Sequence, residues 1–173
     1  MTHATSVENE RGVATGWRDG ELSERGREQA RELGERRRDD GIAAVFASDL
    51  GRAVETAEIA FGDSGIPIHY DPRLRECNYG ELNGMQSTEL EAERSKRIDV
   101  PYPGGESYRD VVERVRDFLD DVSGAHHGMR ILVIGHAATR WALDHLLEGK
   151  PLEDVVGAPF EWRPGWEHVV RPS

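Results

Sequence analysis

Four consecutive apolar residues, Ile131-Leu132-Val133-Ile134, stop at Gly135 and give way to His136. Three of the four are β-branched, so the run reads as a short strand buried on both faces of a parallel sheet. Beyond it Trp141, Ala142, Leu146 and Leu147 fall at helical spacing, which places the histidine where a strand hands over to a helix. In open α/β sheets ligands bind at that carboxyl edge, and a helix start offers unpaired N–H groups to an anion. Alone, His136 fits equally well as a turn histidine bonded to its neighbours.

The same handover recurs upstream. Ile42 to Ala47 reads as a second buried strand, and Ser48-Asp49-Leu50-Gly51-Arg52 as the start of a helix capped by Ser48 or Asp49. An arginine in a first helical turn opposes the helix dipole, a conflict that a shared anion resolves; pairing with Asp49 or Glu55 resolves it equally well. Ile66 to Tyr70 is a third strand, and Glu76 follows in a polar, Gly-punctuated loop. Ser23 caps a helix that turns Ala30 and Leu33 inward. Met85 to Ile98 reads as a polar helix, Pro101 to Ser107 as a turn ending in a cap, and Tyr108 to Val122 as an amphipathic helix. His126 and His127 lack the spacing of metal motifs and read as an exposed loop. Pro151 to Pro159 is a linker or short helical turn, and Trp166 to Val170 a terminal edge strand. If His3 ends a first strand, that strand has almost no length: either it is a stub or the true start lies upstream.

The 173 residues suit one domain, 1–173. A net charge of -11 repels phosphate backbones and anionic lipid, so nucleic acid and membrane are not expected partners and any phosphate site must be local. The single cysteine, Cys77, excludes an internal disulfide and points to the cytoplasm. No apolar run is long enough to span a bilayer.

His3, Arg52, Glu76 and His136, in that order, resemble the histidine phosphatase superfamily, also called the phosphoglycerate mutase-like family. The resemblance is carried by Thr2-His-Ala-Thr-Ser6 with Asn9, Thr15-Gly-Trp17 followed by Leu22 to Ala30, Ser48 to Ala57, Leu74 to Gly80, Pro103 to Ser107 and Gly135-His136. It implies a three-layer α/β/α sandwich with a mainly parallel central sheet, and phosphoryl transfer through a phosphohistidine without cofactor or metal. His3 is then the nucleophile, Arg52 and His136 hold the phosphoryl oxygens, and Asn9 and the N–H of Ala137 add hydrogen bonds. Glu76 is the proton donor and acceptor and should be partly buried. Ser6, Thr15 and Gly16 match positions that touch substrate in the mutase branch.

Two departures stand out. Thr2 occupies the place of the family's arginine before the nucleophile, and Ala4 that of a glycine. A lost guanidinium removes charge-assisted hydrogen bonds of about 1.5 to 3 kcal/mol each. Arg140 is the first candidate to replace it, ahead of Arg11, Arg18 and Arg75, because it lies one turn beyond His136. The chain lacks an obvious insertion to enclose phosphoglycerate, which favours hydrolysis of a small-molecule phosphate ester over mutase activity. A phosphate-sensing protein weakened or inactive in catalysis is the alternative, with a metal hydrolase a distant third. Met85 to Ile98 and the tail Phe160 to Trp166 are candidates to cover the site, and exposed aromatics near a C-terminal edge leave room for a homodimer.

Overall fold

The computed structural model describes residues 1–159, 163 and 165–170. Its elements run α1 (Val7–Glu10), β1 (Val13–Ala14), α2 (Glu24–Arg37), β2 (Ile42–Ala47), α3 (Gly51–Phe61), β3 (Ile68–Tyr70), β4 (Met85–Gln86), α4 (Ser87–Arg94), α5 (Tyr108–Ala125), β5 (Arg130–Ile134), α6 (Ala137–Glu148) and α7 (Leu152–Gly157). The central sheet is parallel in the order β3-β2-β5, with Val45 of β2 opposite Ile68 on one side and Leu132 on the other. Beyond β5 the chain start adds a single parallel bridge, Thr2 to Gly135, fixed by His3 N–H to Gly135 O at 2.9 Å. The expected stub of a first strand is therefore one bridge long.

Helices cover both faces. Leu33 of α2 and Ala53, Ala57 and Phe61 of α3 pack on Val45, Ala47 and Ile134; Phe118 and Val122 of α5 pack on Ala44 and Phe46. The alternation along β2 sends successive side chains to opposite layers, as strand geometry requires. This is the α/β/α sandwich that the family resemblance implies. β5 departs from the expected burial: Ile134 is buried, but Ile131 to Val133 are only partly so, because β5 has a full strand on one edge alone.

Local chemistry sets the helix starts. Ser23 Oγ accepts from Gly26 N–H at 3.1 Å and caps α2 as expected, a contact of about 1 kcal/mol. α5 opens with a reciprocal capping box between Ser107 and Asp110, and its apolar face is buried at Val111, Val112, Val115, Phe118 and Val122. α3 does not follow expectation: its cap residue is Leu50, with no side-chain bond to the helix start. Ser48 Oγ bonds the N–H of Leu50, and the Asp49 carboxylate is taken by Arg75 at 2.7 and 2.6 Å. An ion pair formed in the tertiary structure has drawn the capping carboxylate away.

Met85 to Ile98 is helical from Ser87 to Arg97, as an α-helix at Ser87–Arg94 that tightens to a 3-10 turn at Ser95–Arg97, preceded by the two-residue strand β4, which pairs antiparallel with β1. The expected edge strand at Trp166 to Val170 is absent. Those residues lie against α6 through side chains instead: Trp166 stacks on Arg140 at 4.2 Å, and His168 meets Asp144 and Glu148. Of the tail expected to cover the site, Phe160, Glu161, Trp162 and Pro164 lie outside the described residues. Among the described residues no helix is long and apolar enough to cross a membrane.

Candidate active site

All the parallel strands point their carboxyl ends at one edge. Residues that follow adjacent strands are therefore delivered side by side, however far apart in sequence. His3 follows the terminal bridge, His136 follows β5, Arg52 lies in the first turn after β2, and Glu76 comes six residues after β3.

Arg52 is the hub. It is 2% exposed, and its partners are Gly16 O at 2.8 Å, Arg18 O at 3.3 Å, His3 Nε2 at 3.2 Å and His136 Nδ1 at 3.3 Å. None of these is a carboxylate. Burial lowers the guanidinium's affinity for its own proton, and the charge of Glu76, which does not hydrogen-bond it, offsets only part of that. Gly16 permits this arrangement: its φ is +57°, and a Cβ there would lie 1.8 Å from Asn83 Oδ1.

A guanidinium only donates, which settles both imidazoles. His3 Nδ1 lies 2.6 Å from Ala4 O, an acceptor, so Nδ1 carries the proton and Nε2 presents a lone pair to Arg52. His136 Nδ1 accepts from Arg52, so its Nε2 carries the proton; that atom is buried and has no partner among the described residues. Burial and the neighbouring Arg52 push the His3 pKa down to about 3 and hold His136 well below the usual histidine range. The two rings, 4.9 Å apart between centroids, are neutral and differently protonated.

Glu76 is buried, and its Oε1 accepts from the N–H groups of Cys77 at 2.8 Å and Ala138 at 3.2 Å, the latter in the first turn of α6. Its backbone carbonyl is gripped from two sides, by Trp17 Nε1 at 2.7 Å and Arg114 Nη2 at 3.0 Å. Trp17 and Arg114 thus set the loop that carries Glu76. Sequence reading missed Arg114, which is one of several charged residues on an amphipathic helix with no local mark of difference.

A cavity of about 330 Å³ collects Thr2, His3, Asn9, Thr15, Gly16, Arg52, Glu76 and Ala137 in one wall. Asn9 Oδ1 is occupied by the N–H of Ser6, which leaves its amide N–H₂ for a ligand. Three expected residues do not line the cavity: His136, which is 1% exposed and meets the site through its bond with Arg52, and Ser6 and Arg140. Ser6 is fully buried and caps α1 through Asn9 N–H, so it acts on Asn9 and not on a ligand. Arg140 points elsewhere: its Nε lies 3.4 Å from Asp144 and its guanidinium stacks on Trp166, lining a separate cavity with Lys150 and Val155. The i,i+4 carboxylate at Asp144 outcompetes the site for it. Of the other candidates for the missing cation, Arg75 is held by Asp49 and Arg18 packs over Gly84, and neither they nor Arg11 line the cavity. The arginine that joins Arg52 there is Arg94, which the sequence reading passed over as part of a polar helix face.

Asp144, Glu148 and His168 bring three potential metal ligands within 4.8 Å of one another. Lys150 and Arg140 already neutralise those carboxylates, so a metal ion would have to displace them.

An α/β/α sandwich with a strand-edge pocket of this make-up defines an α/β protein of the phosphoryl-transfer class. The chain belongs to the histidine phosphatase superfamily (branch 1), whose model matches residues 1–160. It is 35% identical over 173 residues to a 2,3-bisphosphoglycerate-dependent phosphoglycerate mutase of Methylobacterium sp. (strain 4-46), an alignment covering 90% of this chain and 82% of the relative. Its fold is similar to that of YhfR of Bacillus stearothermophilus, with a TM-score of 0.82, 29% identity, and coverage of 94% of this chain and 85% of that one. It is also similar to the alpha-ribazole phosphatase of Shigella flexneri, with a TM-score of 0.76, 26% identity and coverage of 90% and 81%.

Proposed function

We propose that this protein hydrolyses a small phosphomonoester through a phosphohistidine formed on His3. The observation that carries the reading is Arg52, a buried cation whose partners include no carboxylate, set between two neutral imidazoles. A phosphoryl oxygen gives Arg52 the anionic hydrogen-bond acceptor that its present partners do not include.

In the first step the Nε2 lone pair of His3 attacks phosphorus. A P–N bond forms as the P–O bond to the alcohol breaks. The Nδ1–H bond to Ala4 O keeps the attacking tautomer and carries the positive charge that develops on the ring. Arg52, the Nε2–H of His136, the amide of Asn9 and the N–H of Ala137 receive the equatorial oxygens. Glu76, with Oε1 held by two N–H groups, uses Oε2 to protonate the departing alkoxide. In the second step the Glu76 carboxylate takes a proton from water, the water oxygen attacks phosphorus, and the P–N bond breaks to release inorganic phosphate. The cations this route needs are side chains, so it asks for no metal ion, and chelator should leave the rate unchanged. The buried thiol of Cys77 suits a reducing compartment such as the cytoplasm.

Thr2 in the cavity wall favours a second reading, a phosphate-sensing protein of the same fold. Glu76 opposes it, because a sensor needs no proton donor at the leaving oxygen. Quenching the enzyme during turnover of p-nitrophenyl phosphate and mapping label to His3 supports hydrolysis. Absence of wild-type turnover, or unchanged turnover in His3→Ala, leaves the sensor.

A further inference from the structure

The residues that hold the Glu76 loop form a closed ring of hydrogen bonds. Glu76 O accepts from Trp17 Nε1 and from Arg114 Nη2, Arg114 also grips the Glu106 carboxylate at 2.9 and 3.1 Å, and Glu106 Oε2 accepts from the Asn78 N–H at 2.9 Å. Asn83 closes the ring. Its Nδ2 donates to Asn78 Oδ1 at 2.9 Å, and its Oδ1 accepts from the backbone N–H groups of Trp17 at 3.2 Å and Tyr79 at 3.1 Å. Two N–H donors on one atom mark it as the oxygen, so the amide has one orientation.

The same ring reaches Arg52. Gly16 C=O and Trp17 N–H belong to one planar trans peptide, so they point in opposite directions and fixing one aims the other. With the N–H held by Asn83, the Gly16 carbonyl is turned to Arg52 Nη2, 2.8 Å away. Through one oxygen, Asn83 thus sets both the peptide that receives the phosphate-binding arginine and the backbone of the loop that carries the proton donor. Neither contact brings Asn83 to a ligand, and it does not line the cavity.

We propose that Asn83 is a positioning residue that couples phosphoryl binding at Arg52 to proton delivery by Glu76. Trp17 carries the coupling, its backbone toward Arg52 and its indole toward Glu76. This rests on the hydrolase reading, in which Arg52 receives the phosphoryl oxygens and Glu76 protonates the leaving group.

The test compares p-nitrophenyl phosphate with phenyl phosphate, whose leaving oxygen is more basic and depends more on Glu76. It also measures inhibition by inorganic phosphate, which reports on Arg52. Asn83→Leu keeps the shape of asparagine and loses the acceptor. It should raise the ratio of kcat/KM for p-nitrophenyl over phenyl phosphate at least about fivefold and weaken phosphate inhibition about tenfold. Asn83→Asp keeps an acceptor oxygen for both N–H groups and should restore most of each. Trp17→Phe loses only the indole N–H, so it should raise the ratio and leave phosphate inhibition within about twofold of the wild type. A merely structural loss lowers the amount of active enzyme and moves neither the ratio nor the inhibition constant. Wild-type values of both in Asn83→Leu, or an Asn83→Asp variant no better than Asn83→Leu, overturn the proposal. Should Asn83→Leu fail to fold, an unchanged ratio in Trp17→Phe overturns it. Absence of wild-type turnover of either ester overturns the hydrolase reading and the proposal with it, whereas wild-type turnover with unmoved variants overturns the proposal alone.

Discussion

Arg52 Nε donates to His3 Nε2 across 3.2 Å, so in the free protein the guanidinium occupies the nitrogen that must bond phosphorus. The contact holds the imidazole in its attacking tautomer and aims it at the place where an anion will sit. An arriving phosphoryl oxygen takes the N–H, and the lone pair is released at the moment it is needed. Replacing Arg52 by lysine keeps a charge but loses the fork that reaches both rings and two carbonyls. For Arg52→Lys, kcat on p-nitrophenyl phosphate should fall by about 10²- to 10³-fold. A variant that folds, by circular dichroism, and keeps its rate would remove Arg52 from the reaction.

Glu76→Gln should separate substrates by leaving group. An alkyl phosphate needs its alkoxide protonated, so its rate should drop by about 10²- to 10⁴-fold. p-Nitrophenolate departs unprotonated, so the first step on that ester should change far less, visible as a burst followed by slow hydrolysis. Equal losses on both esters argue against a proton-transfer role.

Both site histidines are neutral when buried, and this makes stability depend on pH. Below about pH 6.5 the unfolded chain binds a proton on each, whereas native His3 does so only near its lowered pKa of about 3. The unfolded state thus binds more protons across that window, and stability falls as pH falls. His3 contributes at most about 2 kcal/mol of loss between pH 6.5 and 5, at about 1.4 kcal/mol per unit. Urea unfolding at pH 7 and 5 should show a smaller drop for His3→Asn than for the wild type; identical drops would mean that His3 is protonated in the native state.

Thr2 is buried in the cavity wall beside the nucleophile. Thr2→Arg adds a guanidinium next to the nucleophile, beyond those of Arg52 and Arg94. If charge is what the site lacks, kcat/KM on small phosphate esters should rise about ten- to a hundredfold, equivalent to roughly 1.5 to 3 kcal/mol. Inorganic phosphate should become a correspondingly stronger inhibitor, and no change in either would show that the remaining donors suffice.

Gly26 lies where α2 crosses the segment after His3, and a Cβ there would be 1.9 Å from Thr5 O. Gly26→Ala must push that backbone aside, at a cost of about 1 to 3 kcal/mol. A lowered melting temperature with reduced turnover is expected; a melting temperature equal to the wild type's would show that the helix yields freely.

The sequence by itself determined the local grammar: where strands β2 and β5 run, that Ser23 caps α2, which face of α5 is apolar, and that a histidine, an arginine and a glutamate follow strand ends. These are properties of neighbouring residues, and periodicity and capping record them directly. What the tertiary structure decided is which of those side chains meet. Parallel pairing of the strands brought His3, Arg52, Glu76 and His136 to one edge. Competition among charges drew Asp49 from its cap to Arg75, turned Arg140 to Asp144, and left Arg94 facing the cavity. An arginine's local sequence is the same whether it ends in water, on a carboxylate or in a pocket. Only the packing of distant segments fixes its partner.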